Sequence, residues 1–135
     1  MRKIKFRGMG ASSQWYYGDL EYNEKYDLAR IHTYMDDGEY NKQYVVIPST
    51  VGQFTGLKDK NGREIYEGDI LSVTVFDSFD NDKHHTVVVE WCDTEFGGYC
   101  KEENTGWNLF WLWEQDQEIE VIGNIHDDKH LIKDA

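Results

Sequence analysis

His84, His85, Cys92 and Cys100 are the four side chains in this sequence best suited to holding a metal ion. Zinc takes four converging N or S ligands, usually supplied as close pairs on single turns. His84 and His85 are adjacent, so on a strand they point to opposite faces and cannot both reach one ion. No Cys-x-x-Cys accompanies them, and the spacing predicts no metal site. Carboxylates are plentiful, and Glu114, Asp116, Glu118 and Glu120 form the most regular run. That run reads as a solvated strand edge that discourages aggregation between strands. Glycosidase-like chemistry would need two carboxylates facing each other across a cleft with separated pKa values. A Gly-x-Ser-x-Gly elbow, a phosphate-binding Gly-rich loop and a His-Glu-x-x-His helix are all absent. No catalytic residue and no cofactor is expected.

Two further groups suggest binding. Trp107, Phe110, Trp111 and Trp113 have the rings with which single-strand binders stack bases. Such platforms sit in basic grooves, whereas Glu102, Glu103, Glu114 and Asp116 flank this one. The size of the rings favours core packing, and any exposed part is expected to recognise protein, because aromatics anchor protein interfaces. Lys3, Lys5 and Arg7 fall on one face of a first strand whose Ile4 and Phe6 point inward. That stripe either pairs with acids across the sheet or docks on the acidic face of another copy, giving a homo-oligomer.

The elements that carry these groups follow from alternation. Gly8 to Ser13 is a loop, and Trp15-Tyr16-Tyr17 is a short strand stopped by Gly18-Asp19. From Leu28 to Met35, Ala29, Ile31, Thr33 and Met35 share a face, and Asp36-Asp37-Gly38 ends the strand. Tyr44-Val45-Val46-Ile47 stops at Pro48, after which Ser49 and Thr50 cap one helical turn through Val51-Gly52-Gln53. Asn61-Gly62 offers the positive φ angles of a tight hairpin. Leu71, Val73 and Val75 form a clean apolar face, followed by a polar loop from Asp77 to Lys83. Val87, Val89 and Trp91 share the next face. Trp107, Leu109, Trp111 and Trp113 alternate with Phe110 and Leu112, the pattern of a strand covered on both sides. Ile119, Val121, Gly123 and Ile125 complete a last strand.

No segment longer than about one turn shows a 3.6 period, so the fold class is all-β. The tight-turned segment from Glu67 suits a small SH3-like barrel. The expectation is a single domain over 1–135, with an N-terminal β-subdomain (1–66) packed on a barrel-like subdomain (67–135).

The chain has 135 residues, 14 of them Lys or Arg and 26 Asp or Glu, for a net charge of −12. A 15% aromatic share argues against disorder, which combines high charge with few large apolar groups. No apolar run approaches the roughly 18 residues of a membrane span. No apolar stretch follows Met1-Arg2-Lys3, so no signal peptide is expected. Two cysteines make no disulfide framework, and the expected compartment is a reducing cytosol where both remain thiols. The charge repels nucleic acid and anionic membranes. Residues 1–18 carry four bases and no acid, so against the total of −12 the remainder holds −16.

The most specific stretch is Thr50-Val51-Gly52-Gln53-Phe54-Thr55-Gly56-Leu57-Lys58-Asp59-Lys60-Asn61-Gly62-Arg63-Glu64-Ile65-Tyr66-Glu67-Gly68-Asp69-Ile70. It resembles the hallmark of the YopX family of bacteriophage and prophage proteins. Arg2-Lys3-Ile4-Lys5-Phe6-Arg7 and Val121-Ile122-Gly123-Asn124-Ile125-His126 resemble the two termini of that family. The chain departs from the pattern in lacking a Trp-Asp pair after Arg7 and in its acidic 77–83 loop. The resemblance implies an all-β fold and a phage or prophage setting in a bacterial cytoplasm, and it carries over no activity and no ligand residue.

Turn chemistry accounts for most of the central run: Gly56, Gly62 and Gly68 at turns, Asp59 bonding nearby backbone N–H groups, Ile65, Tyr66 and Ile70 as core. The functional reading makes Lys58, Asp59, Asn61, Glu67 and Asp69 an exposed polar surface for a partner. The expected function is thus that of a non-enzymatic acidic module binding a protein in the phage or its host, in the sharpest form by mimicking DNA charge. An enzyme of unrecognised type and a self-assembling structural component of the phage are the alternatives.

Overall fold

A computed structural model describes residues 3–34, 40–76, 82–101, 104–115 and 118–132. The expected Asp36-Asp37-Gly38 turn, residues 77–81 of the acidic loop, and Met35, Glu102, Glu103 and Asp116 lie outside the described residues. The chain divides into two compact units, Met1–Phe54 and Thr55–Ala135, and almost all of their regular structure is antiparallel β.

The first unit holds β1 (Phe6–Met9), β2 (Trp15–Asn23), β3 (Leu28–Tyr34), β4 (Tyr40–Val46) and the start of β5 (Gly52–Lys58). Hydrogen bonding orders them β4-β3-β2-β1-β5, with Phe6 opposite Gln53 and Arg7 opposite Gly52. Ala29, Ile31 and Val46 are buried at its centre, and Phe6, Tyr16, Leu20 and Val51 pack on them. The Ala29–Ile31 alternation is the one expected from sequence.

Three local expectations are corrected. β2 runs through Gly18 instead of stopping there. A Cβ at Gly18 would stand 2.1 Å from the His32 carbonyl oxygen, so glycine here permits a close strand approach and does not end the strand. Around β1 the expected facing holds for Phe6, which packs on the core, but fails for its neighbours: Arg7 is buried while Ile4, ahead of the strand, is exposed. The Arg7 guanidinium lies 4.7 Å from the centre of the Trp15 ring, a cation–π contact that draws the base inward, and Lys3, Lys5 and Arg7 form no common stripe. The helical turn is a 3-10 turn over Pro48–Thr50, because proline's fixed φ suits a first helical position. Thr50 Oγ1 donates to the Ile47 carbonyl and accepts from the Met9 N–H at 2.9 Å.

In the second unit β5 turns into β6 (Glu64–Tyr66), and β7 (Asp69–Phe76), β8 (Asp82–Cys92), β9 (Glu95–Cys100), β10 (Thr105–Asn108), α1 (Leu109–Gln115) and β11 (Glu120–Asn124) follow. The sheet order is β10-β9-β8-β7-β11, open at both ends. Leu71 and Val73 face the core with Val87 and Val89, as their alternation requires, whereas Trp91 is exposed. His84 and His85 point to opposite faces: His85 is buried against the Trp107 ring, and His84 Nε2 sits 2.6 Å from Ser72 Oγ.

The main correction concerns the tryptophan-rich segment, expected as one strand with its rings in the core. The strand ends at Asn108 and a two-turn helix follows. Asn108 Oδ1 accepts the Trp111 N–H at 2.9 Å, a helix N-cap that satisfies one of the amides a first turn leaves without a carbonyl. Leu109 and Leu112, three apart and so on one helical face, are the buried pair. Phe110, Trp111 and Trp113 remain 53%, 40% and 37% exposed. Glu114 thus rides on α1 and Glu120 on β11, so the carboxylate run forms no single strand edge.

Candidate functional site

The loop between β5 and β6 is built around Asp59. Its Oδ1 accepts the N–H groups of Asn61 and Arg63, each at 2.9 Å, and its Oδ2 accepts the Val121 N–H at 3.0 Å. Of the Asn61-Gly62 pair, only Gly62 takes a positive φ, at 79°. The turn therefore combines a Gly62 N–H bond to the Asp59 carbonyl with the left-handed glycine of a bulged hairpin. The loop is also fastened to the start of β11: the Lys60 N–H donates to the Ile119 carbonyl, and Asn61 Nδ2 donates to Glu120. Lys60 Nζ lies 3.7 Å from Glu118 and 3.8 Å from Glu120.

Burial by itself would raise the Asp59 pKa. The backbone N–H groups of Val121, Arg63 and Asn61, aided by the Arg63 charge, outweigh it and hold the carboxyl below the usual carboxylate range. Asp69 is buried as well, and its Oδ2 accepts the Tyr66 N–H at 2.7 Å across the turn that leads into β7. Lys58 and Asn61 are exposed and Glu67 is half-buried. The five residues therefore form no common polar surface, because two of their carboxylates serve the backbone.

The exposed large side chains of α1 are aromatic. On α1, Leu109 and Leu112 point inward, which leaves Phe110, Trp111 and Glu114 on the outer arc with Trp113 at its flank. Trp113 Nε1 donates to the Lys58 carbonyl at 2.9 Å, which ties the helix to the end of β5. The Phe110 and Trp113 rings are 5.9 Å apart between centroids. From those exposures, the three rings offer on the order of 300 Å² of accessible apolar surface. This exposed face was not legible from alternation. An Asn followed by Leu-Phe-Trp-Leu, a cap ahead of leucines three apart, is the signal that would have found it.

Among the described residues each unit holds a cleft of its own. One, about 260 Å³, lies in the first unit and is lined by Leu20, Tyr22, Ala29, Pro48 and Val51. The other, about 210 Å³, opens on the sheet of the second unit between Glu90, Cys92, Glu95, Tyr99, Trp107 and Asn108, over a glycine floor. Glu90 and Glu95 both line it, and Glu95 accepts from Asn108 Nδ2 at 2.7 Å. No histidine lines it, so a carboxylate–histidine pair for acid–base work is not assembled there. Ser72 and His84 have the separation of a nucleophile and its base, but neither residue lines either cleft.

Charge is divided unevenly between the units. Residues 1–54 carry seven Lys or Arg and seven Asp or Glu, and residues 55–135 carry seven and nineteen. The whole net charge of −12 therefore belongs to the second unit. Residues 102–128 contain eight Asp or Glu and no Lys or Arg. Among the described residues no helix is long and apolar enough to cross a membrane.

The family model described as YopX protein matches residues 5–133. No curated protein matches the chain. Among solved structures, protein EF1440 from Enterococcus faecalis, known from a crystal structure, is similar over 98% of this chain and 100% of its own. The TM-score is 0.64 at 21% identity, a likeness of fold.

Proposed function

The chain belongs to the YopX family, and from that premise we propose that it is a phage or prophage accessory protein, an acidic non-enzymatic module that binds a protein partner in the bacterial cytoplasm. The observation that carries this reading is the confinement of all net charge to residues 55–135, beside an electrically balanced first unit. The negative field of the second unit steers it toward a basic surface and repels nucleic acid. In its sharpest form the carboxylates stand in for the phosphates that a nucleic-acid-binding protein of the host would contact. Within the same reading, residues 67–135 make an SH3-like small barrel, supported by the meander β7 to β10 and the return of β11 beside β7 after a short helix.

The test is affinity capture from a bacterial host lysate with the full chain as bait, washed at rising salt and read by mass spectrometry. Attraction of this kind weakens as the screening length falls from about 10 Å at 0.1 M to about 3 Å at 1 M salt. A basic protein released steadily across that range supports the reading. Recovery of a partner indifferent to salt, or of none, would sink it.

A further inference from the structure

We infer that the outer face of α1 is a docking site for a basic segment of a partner protein, one carrying Arg or Lys between aliphatic residues. The inference rests on the protein-binding reading above and gives that reading a place and a partner chemistry. Phe110, Trp111 and Trp113 are all at least 37% exposed on one short helix, and ring faces attract cations while ring bodies reward desolvation. The helix is already fixed beneath them. Leu109 and Leu112 are buried, Asn108 caps the first turn, and the Trp113 indole is anchored to the Lys58 carbonyl. The anchored Trp113 ring and the capped backbone have little freedom left to lose on binding, which favours affinity from a small area.

Charge complementarity chooses the occupant. The helix carries Glu114 and no Lys or Arg, and it belongs to the second unit, where nineteen acids stand against seven bases. A second copy would bring the same negative face, or a first unit with no basic excess, so self-docking has no electrostatic drive. A nucleic acid would bring phosphates to a negative field. A cationic peptide segment meets the rings with its aliphatic stems and guanidinium planes, and the negative field of this unit with its charge. About 300 Å² of aromatic surface is well short of the roughly 800 Å² per partner of a standard interface, so the contact has the scale of a short peptide.

The experiment titrates the full chain with a peptide of alternating Arg and Leu and with its Glu-for-Arg counterpart, following the indole N–H signals of the tryptophans by NMR. The Trp111 signal is expected to move with the Arg peptide and to stay still with the Glu peptide. Trp111→Ala and Phe110→Ala should each weaken binding about tenfold, the cost of a central interface aromatic, while Trp91→Ala changes it less than about twofold. Both helix variants replace exposed rings, and their thermal midpoints report whether folding is intact. Equal binding of the two peptides, shifts confined to Trp15 or Trp91, equal shifts with a single-stranded oligonucleotide, or unchanged affinity in both folded helix variants would overturn the inference. Failure here alongside a salt-sensitive host partner removes only the location on α1. Peptide binding without any captured partner removes the cellular reading and leaves the surface chemistry standing.

Discussion

Asp59 fastens two stretches of chain with one carboxylate, its Oδ1 closing the turn at 61–63 and its Oδ2 holding the Val121 amide. Replacing it by Ala leaves a buried N–H on β11 without an acceptor and opens the turn. Asp59→Ala is therefore expected to lower the unfolding free energy by about 2–4 kcal/mol, measured by urea denaturation at neutral pH. Its pKa is depressed in the folded state relative to an ordinary carboxyl near 3.8. The stabilisation is thus fully present above that ordinary value and is lost as pH falls through the lower folded value. The difference in stability between the native chain and Asp59→Asn should shrink as pH falls below about 4; a constant difference would show that the charge does not matter. The sequence showed the role of this residue, since an Asp two and four residues ahead of the amides it accepts is ordinary turn chemistry. It did not show the bond to Val121, because the partner is 62 positions away. Arg7 was misread for a related reason: alternation assigns a face, and the aromatic ring that makes a base tolerable inside comes from another strand.

At the scale of elements, α1 marks the point where pattern reading failed. Alternation of residue type made Trp107, Leu109, Trp111 and Trp113 a face, yet the helix buries Leu109 and Leu112 and leaves the rings of 111 and 113 partly in solvent. Aromatic rings tolerate partial exposure where leucines do not, so side-chain class misled and the Asn108 cap was the better guide. Leu112→Ala should cost about 2–5 kcal/mol, whereas Trp111→Ala should change stability by less than about 1 kcal/mol. A reversal of that order in paired denaturation curves would mean that the tryptophan is the buried anchor. The strands β3 and β7 were legible, because Ala29 and Ile31, or Leu71 and Val73, alternate with residues that stay outside the core. Gly18 was not, since nothing local distinguishes a glycine that ends a strand from one that admits a neighbour. Gly18→Ala would drive a methyl into the His32 carbonyl and should destabilise the chain by about 3 kcal/mol or more. Gly62→Ala meets nothing within 4 Å and bears only the cost of its positive φ, about 1–2 kcal/mol. Equal losses from the two substitutions would contradict the separation of clash from backbone strain.

For the whole molecule, composition announced the charge but not its address. The count of −12 was plain, whereas its confinement to residues 55–135 required knowing where the units divide. Crowding nineteen acids against seven bases within one unit makes that body repel itself. Added sodium chloride between about 10 mM and 150 mM shortens the screening length from about 30 Å to about 8 Å. The thermal midpoint should therefore rise by a few degrees over that interval, and a fall would indicate that attractive ion pairs such as Lys60–Glu118 dominate the balance. The family was legible from one continuous run, residues 50–70, because hairpin turns fix residue types locally and leave a recognisable string. The docking face was not, because exposure is a property of the packed body.

Cys92 stands at the rim of the sheet cleft while Cys100 is sealed inside. The native chain thus offers a single address for a thiol-directed dye, with no engineering needed. One equivalent of reagent should couple rapidly to the folded protein and a second only once denaturant is added. A fluorophore placed there would turn the molecule into its own gauge of unfolding.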